Sequence, residues 1–206
     1  MRRRSMLMER IYETRKNNPR QSIGIIGTHR GVGVTYTALM LAFYMGEELG
    51  KRTVLLECNN HHDMSRIQSA YEWSREEEYS FAFHQITCYK EVTPNYLPEI
   101  LAMPFETFIL DFGTDFKSCR EELLRCDRKI VIGGRAQWEQ QKLTEFIEAN
   151  IGIGNHEGWL YLVPCANPGS IRSLEGKLEH NIFSVPFEKE PTRLSKDVIK
   201  FFEKLF

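Results

Sequence analysis

Short runs of apolar residues recur along the chain, and longer segments with helical spacing separate most of them. Continuous apolar runs are typical of strands that are buried on both faces of a sheet. The strand candidates are 22–27, 52–57, 107–112, 129–134 and 159–164. Because helix-like segments alternate with them, the pattern predicts an α/β fold: a doubly wound, mainly parallel sheet with helices on both faces.

Helices are predicted where apolar positions follow the helical period between these strands. The first covers 35–50 and stops at Gly50, and two later ones cover about 117–126 and 136–150. The stretch "SRIQSAYEWSREEEYSFAFHQ" (65–85) predicts a charged surface helix, and "PNYLPEILAM" a short helix before the third strand. The chain closes with a short strand "IFSV", a proline-bounded loop and an amphipathic helix "LSKDVIKFFEKLF".

Composition and charge narrow the class of protein. The 206 residues carry a formal net charge of -1, so no overall basic field indicates nucleic acid, which is not expected as a partner. Basic residues concentrate in an N-terminal extension over 1–20, which leaves one domain over 21–206. The five cysteines occur singly, and no signal peptide or membrane-spanning run is evident, so a cytoplasmic location is expected.

The segment "GTHRGVGVT" (27–35) joins the first strand to the first helix. Gly27, Gly31 and Gly33 would let backbone N–H groups converge at a helix N-terminus, where the helix dipole favours phosphate. Thr35 adds a hydroxyl that suits Mg²⁺. By itself the loop fits equally well a tight strand-to-helix turn that needs glycine for its backbone conformation.

Later segments follow this loop in the order found in one known family. "TALMLA" begins the next helix, "GKRTVLLECNN" ends a strand with Glu57 and Asn59, "PFETFILDFGTD" carries Asp111, and "IFSVPFEKEP" comes near the end. Together these segments resemble the ParA/MinD superfamily of P-loop ATPases over about residues 22–206. The resemblance implies a P-loop NTPase domain, a Rossmann-like three-layer sandwich.

The resemblance also implies a site for ATP or ADP with Mg²⁺. Thr35 and Asp111 would hold the metal ion, and Glu57, at the first acidic position of the family's Asp-x-Asp strand, is the candidate for positioning the attacking water. The residues that the resemblance places at the nucleotide are Gly27, His29, Arg30, Gly31, Val32, Gly33, Val34, Thr35 and Tyr36.

The chain departs from the family at the residues that carry charge. Val34 stands at the P-loop lysine, His29 at the second, signature lysine, and Arg30 at a loop glycine. Glu57 and Asn59 stand where the family has two aspartates. Because phosphoryl transfer depends on positioning and charge stabilisation, these changes predict weak or absent hydrolysis, a pseudo-ATPase. Weak nucleotide binding, an empty pocket kept as a scaffold, and true ATPase activity with an unusual loop cation stay open.

The resemblance implies action through protein contacts. The leading hypothesis is a homodimeric positioning or scaffold factor for an assembly such as a pilus or secretion apparatus, in the style of TadZ/CpaE proteins. A working MinD-like ATPase and a DNA-partitioning module are the alternatives. The C-terminal helix over 194–206 is interpreted either as core packing or as a reversible contact with a partner or the inner membrane, which would make the protein peripheral there.

Overall fold

The computed structural model describes residues 20–71, 79–150, 152, 158–178 and 180–206. The strands in these ranges are Gln21–Gly27 (β1), Thr53–Glu57 (β2), Ser80–Phe83 (β3), Ile86–Tyr89 (β4), Thr107–Asp111 (β5), Arg128–Ile132 (β6), Leu160–Pro164 (β7) and Ile182–Val185 (β8). The α-helices are Val34–Phe43 (α1), Asp63–Ala70 (α2), Leu97–Ala102 (α3), Phe116–Arg125 (α4), Gln137–Asn150 (α5), Pro168–Leu178 (α6) and Lys196–Leu205 (α7). A π-helical turn, Tyr44–Glu48, continues α1.

The eight strands form one sheet in the order β3-β4-β2-β5-β1-β6-β7-β8. Every neighbouring pair is parallel except β3 and β4, which pair antiparallel at one edge. The predicted α/β fold with a doubly wound, mainly parallel sheet is confirmed. Because β1 lies between β5 and β6, the carboxyl ends of the central strands place the glycine loop beside Asp111.

Separate apolar cores cover the two faces of the sheet. On one face, Ile23 and Ile25 of β1 pack with α1, with Met64 of α2 and with Phe202 of α7. On the other face, Ile26 belongs to a core that includes side chains of α3, α4, α5 and α6. Alternate residues of β1 therefore point into different cores, as the period of a strand requires.

The β3–β4 hairpin corrects one sequence prediction. The helix predicted over 65–85 is wrong in its last part, because α2 ends at Ala70 and Ser80–Phe83 is an edge strand. Phe81 and Phe83 are buried in the core beside α1, and this packing outweighs the weak local signal of a four-residue strand. The charged residues 72–78 lie outside the described residues, as does the basic extension except for Arg20.

The C-terminal helix α7 packs on the domain. Val198 and Phe202 are completely buried, and the Phe202 ring lies 5.4 Å from the ring of Tyr44 in the π-helical turn. Arg128 of β6 donates a 2.6 Å hydrogen bond to the carbonyl of Leu205. A bilayer could reach the two buried side chains only if the helix left the domain. Within the described ranges, no helix has the length and apolar character needed to cross a membrane.

Gly24, in β1, provides a test of how tightly the sheet and α4 pack. A Cβ atom there would lie 2.6 Å from Leu123 Cδ1 and 3.0 Å from Cys126 Sγ. We expect Gly24→Ala to lower the free energy of unfolding by about 1–3 kcal/mol, because overpacking forces neighbouring atoms to shift. Urea denaturation followed by circular dichroism measures this change.

The matched control is Gly176→Ala in α6, where an added Cβ meets no atom within 4 Å. Alanine favours a helix over glycine by up to about 1 kcal/mol, so the control should be neutral or stabilising. Equal effects of the two substitutions would contradict the close packing of α4 on β1.

Candidate functional site

The loop between β1 and α1 presents free backbone donors. Gly31 and Gly33 have φ angles of 83° and 99°, in the left-handed region that favours glycine, and an added Cβ at Gly31 would point into open space. Within the described part of the chain, the N–H groups of residues 31–35 donate to no protein acceptor, and the first helical bond runs from Thr37 N to Gly33 O. Such converging donors at a helix N-terminus form a site for an anion.

Thr35 and Asp111 meet at the carboxyl edge of the sheet. The Thr35 hydroxyl donates a 2.6 Å hydrogen bond to Asp111 Oδ2, and Gly113 N donates a 2.9 Å bond to the other oxygen. Asp111 is almost completely buried. Burial raises the pKa of its carboxyl group from 3.8 to about 6, and the nearby Glu57 adds to the rise, while the hydrogen bonds from Thr35 and Gly113 oppose it.

Val34 is turned into the protein. Its side chain is only 6% exposed, and both Val32 and Val34 belong to the core on the α1 face. They lie over Gly27, where a Cβ atom would come within 2.5 Å of Val32 Cγ1 and 2.6 Å of Val34 Cγ2. The residue at the lysine position therefore contributes apolar packing and no charge.

His29, at the second lysine position, contacts protein groups on both of its ring nitrogens. Nδ1 lies 2.9 Å from the Thr28 hydroxyl, and Nε2 lies 3.5 Å from Glu139 Oε1 at the start of α5. The other oxygen of Glu139 accepts a hydrogen bond from Ala136 N. The ring is therefore directed to the first turn of α5, and His29 is not among the residues that line the loop cavity.

Glu57 is completely enclosed and connects two loops. Its Oε1 accepts hydrogen bonds from Asp63 N (2.6 Å) and Met64 N (3.2 Å), at the start of α2. Its Oε2 accepts one from Glu91 N (3.3 Å), after β4. The carboxylate therefore satisfies donors of the α2 N-terminus, which gives Glu57 a structural role.

A cavity of about 260 Å³ opens above the loop. Arg30, Thr35 and Tyr36 line it, with Arg30 exposed and the Tyr36 hydroxyl donating to the Glu188 carbonyl over 2.7 Å. Asn59 lies behind the site, where its Nδ2 donates to the Asp111 carbonyl and its Oδ1 accepts from the backbone N–H of the residue at position 61.

Sequence reasoning missed Asp63 and Arg66, which line the same cavity. Asp63 Oδ2 lies 3.5 Å from the Thr35 hydroxyl, and Asp63 Oδ1 accepts a 2.8 Å hydrogen bond from Arg66. The only signal in the sequence was the polar stretch "NNHHD" (59–63) after a strand, at the edge where such sheets bind ligands. That stretch indicated a loop facing the site but not which side chains enter it.

A second, larger cavity of about 610 Å³ lies on the α4 side of the 58–62 loop. Its charged lining includes Glu91, Asp115 and Glu122, and no lysine or arginine among the described residues contributes to it. Carboxylates repel phosphate, so the smaller cavity above the glycine loop is the one suited to an anion.

The residues of the small cavity fit a phosphate with a divalent cation. Backbone donors face the space, and Thr35 and Asp111 supply a hydroxyl and a carboxylate oxygen, the ligand type Mg²⁺ takes. In the described ranges, no group of three or more His, Cys, Asp or Glu side chains is placed to hold a metal ion. Mg²⁺ ordinarily keeps several waters and uses phosphate oxygens, so a dedicated protein cage is not required.

Solved structures with the same fold are ParA and MinD proteins. The MinC:MinD cell division complex of Aquifex aeolicus matches at a TM-score of 0.67 and 13% identity, over 90% of this chain and 95% of that chain. A ParA family ATPase from Chlorobium tepidum matches at 0.63 and 12%, over 91% and 93%. A putative plasmid partition protein of Borrelia burgdorferi, bound to AMPPNP, matches at 0.63 and 11%, over 91% and 97%. No protein-family model and no curated protein sequence matches the chain.

These likenesses define the class of fold: the chain has the P-loop NTPase fold of ParA/MinD-type ATPases, as the motif order predicted. The similarity extends over nine-tenths of the chain, so the match is to the whole domain rather than to one βα unit. At identities of 11–13% it shows the architecture, and the activity has to be argued from the site.

The raised pKa of Asp111 predicts how stability depends on pH. The folded chain keeps this proton up to about pH 6, whereas an unfolded aspartate releases it near pH 4, so stability should fall as pH rises through this window. A shift of this size corresponds to a loss on the order of 2–3 kcal/mol. We expect Asp111→Asn to remove the loss and to be more stable than the wild type at pH 7, in urea denaturation series from pH 4 to 8.

Asp115→Asn is the control of opposite sign. Hydrogen bonds from Ser118, at the start of α4, hold the pKa of the exposed Asp115 below its usual value. Asp115→Asn should therefore lower stability at pH 7. Identical pH profiles for the wild type and Asp111→Asn would contradict the buried, proton-retaining carboxyl.

Glu57→Gln distinguishes a structural carboxylate from one that only positions water. The substitution keeps the shape but removes the charge that accepts three backbone N–H groups, so we expect a loss of about 1–3 kcal/mol in the free energy of unfolding. Chemical denaturation measures it. Glu106→Gln should cost clearly less: its Oε2 accepts one backbone N–H and a longer 3.4 Å bond from Arg52 Nε, and its side chain is partly exposed. An unchanged stability of Glu57→Gln would contradict the structural role.

Proposed function

We propose that the chain binds the phosphates of ATP or ADP with Mg²⁺ at the glycine loop, hydrolyses the nucleotide weakly or not at all, and acts through protein contacts. The observation that carries this proposal is a division within the site. Free backbone donors and the Thr35–Asp111 pair remain, whereas Val34 is packed in the core and His29 is directed to Glu139. The binding parts are kept and the lysine charges are absent.

Rate arguments favour weak or no hydrolysis. Phosphoryl transfer is accelerated mainly by groups that stabilise charge developing on the transferred phosphate. Removing one such preorganised donor from an enzyme costs about 10²–10³ in rate, and this chain lacks the lysine at two expected positions, 29 and 34. Mg²⁺, when bound, would neutralise part of the phosphate charge; the chain's own contribution is to orient the phosphates through its backbone N–H groups.

Protein contacts are supported by the fold and by one exposed side chain. The Aquifex aeolicus neighbour was solved as a complex of MinC with MinD, so the fold supports partner binding there. In this chain, Trp138 is 77% exposed in the first turn of α5, next to Glu139, which contacts the loop residue His29. Tryptophan is enriched at the centres of interfaces. We infer that this edge, near the loop, contacts a second copy or a partner in a positioning or scaffold role, as at a pilus or secretion apparatus.

A working ATPase is the second candidate. Arg30 and Arg66 both line the loop cavity, and a guanidinium suits phosphate oxygens. Release of inorganic phosphate from ATP above background, abolished by Asp111→Ala, would favour this candidate over the scaffold. The Borrelia burgdorferi neighbour is a putative plasmid partition protein, and a DNA-partitioning role here predicts salt-sensitive DNA binding that requires the arginines of residues 1–20.

A matched pair of glycine substitutions tests phosphate binding. Gly31 and Gly50 both have positive φ angles, and an added Cβ meets nothing within 4 Å at either position. Both alanine variants should therefore lose similar stability, about 1 kcal/mol. We expect only Gly31→Ala to weaken ATP binding, at least about tenfold, because its loop contacts the phosphates. Calorimetric titration with Mg²⁺-ATP, followed by sizing with and without nucleotide, measures binding and self-association.

Loss of binding in both glycine variants would point to a general effect on folding and not to the loop. No binding of either ATP or ADP by the wild-type chain would exclude both nucleotide-dependent functions. An unchanged molecular size with saturating nucleotide would argue against a homodimer controlled by the bound state.

A further inference from the structure

The loop cavity contains a positive charge that no motif of the sequence indicated. The two positions at which the resemblance expects lysine supply no cation to it, since Val34 is aliphatic and His29 is directed elsewhere. The arginines that line the cavity are Arg30, on the loop, and Arg66, on α2; His61, which precedes α2, lines it as well. The permanently charged cations that the described part of the chain offers to a polyphosphate in this cavity are therefore these two arginines.

Arg66 is held in place by two hydrogen bonds. Its Nη1 donates to the carbonyl of His61 over 2.9 Å and to Asp63 Oδ1 over 2.8 Å. The second oxygen of Asp63 lies 3.5 Å from the Thr35 hydroxyl. The guanidinium is thus separated from Thr35 by a single carboxyl group. Its side chain is 70% exposed, so it can reach a ligand without first leaving the core.

The position of Thr35 indicates which phosphate Arg66 would meet. Thr35 and Asp111 would hold the divalent cation, which would neutralise charge on the outer phosphates of a triphosphate. Backbone donors of the loop would bind the inner phosphates, and Arg66 is connected to Thr35 through Asp63. The terminal phosphate of a triphosphate would therefore lie nearer to Arg66 than any phosphate of a diphosphate.

We propose that Arg66 binds the terminal phosphate of a nucleoside triphosphate and so discriminates triphosphate from diphosphate; this inference rests on the proposed nucleotide function. Arg66 exchanges its bond with Asp63 for bonds to phosphate oxygens, and a planar guanidinium can make two at once. Arg30 is exposed and has no side-chain hydrogen bond among the described residues, so it would lose more conformational freedom on binding.

The exchange would also affect α2. The first two residues of this helix, Asp63 and Met64, donate backbone bonds to buried Glu57, so its N-terminus is tied to the end of β2. Arg66 also lines an adjoining cavity of about 480 Å³. The lining of that cavity includes Tyr71 and Glu190, which lies in the loop between β8 and α7. A bound triphosphate would therefore affect the position of α2. The residue that follows this helix, Tyr71, donates a hydrogen bond to Glu190 in the loop between β8 and α7.

The test compares affinities for a non-hydrolysable ATP analogue and for ADP, both with Mg²⁺, by calorimetry on the full chain. We expect Arg66→Ala to weaken binding of the triphosphate by about 10- to 100-fold, as loss of charge-assisted hydrogen bonds does, and that of ADP by less than about threefold. Arg66→Lys should retain part of the affinity. Tripolyphosphate, used as a competitor, should show the same dependence on Arg66 if the contact is to phosphate rather than to the nucleoside.

Arg52→Ala is the matched control, because Arg52 also pairs with a carboxylate, Glu106, but precedes β2 at the opposite end of the sheet. It should leave both affinities unchanged. If the wild type binds neither nucleotide, the proposed function fails. If the wild type binds, three results would overturn only the Arg66 assignment. Arg66→Ala could behave like Arg52→Ala, or it could weaken the binding of both nucleotides equally. Arg30→Ala could also weaken triphosphate binding more than Arg66→Ala does. Thermal melts confirm that each variant is folded.

Discussion

The hydrogen bond between Thr35 and buried Asp111 is the contact on which the site depends. It joins the first turn of α1 to the end of β5, and Gly113 holds the other carboxylate oxygen. The register of the strands places Asp111 here. The strand β5 pairs with β1 on one side and with β2 on the other, so that Glu57 lies beside Asp111. Burial makes Asp111 costly to ionise, and the hydrogen bonds from Thr35 and Gly113 offset part of that cost.

Around the loop, apolar side chains stand where the resemblance expects a cation, and the cations lie elsewhere. At residues 32 and 34, valines join the core of α1 and cover Gly27, while the cations lie on the rim, on Arg30 and on Arg66 of the next helix. A cation inside the loop stabilises phosphate from a fixed position, whereas one on a helix that follows β2 depends on how that helix is placed. With the proposed contact of Arg66 to phosphate, ligand charge would be coupled to α2 more directly than to α1.

Much of the fold could be predicted from sequence, because central parallel strands such as β1 and β5 are unbroken apolar runs that glycine or acidic residues end. The β3–β4 hairpin could not be predicted, since its four-residue edge strand "SFAF" follows a charged stretch that is typical of a helix. Pairing with β4 and packing against α1 stabilise this strand. Helix α6 escaped prediction for a similar reason: of its residues, only Leu174 is buried.

The site, like the fold, contains residues that the sequence predicts and others that it does not. Thr35 and Asp111 belong to contiguous motifs, so their contact could be predicted from motif order. Asp63 and Arg66 reach the cavity because Glu57 captures the first amides of α2 and because His62, with a φ angle of 58°, turns the chain into that helix. These two features, the capture of the α2 amides and the turn at His62, exist only in the folded chain, and no local sequence pattern predicts them.

The valines over Gly27 influence how much the loop changes when a ligand binds. In a loop that a ligand must shape, the chain becomes ordered only on binding and the affinity is reduced by that entropy. Here Val32 and Val34 belong to the core and cover Gly27, so apolar contacts within the protein support the curved form of the loop. A loop supported in this way would change shape little on binding, so a partner that responds to the ligand would have to recognise occupancy elsewhere on the surface.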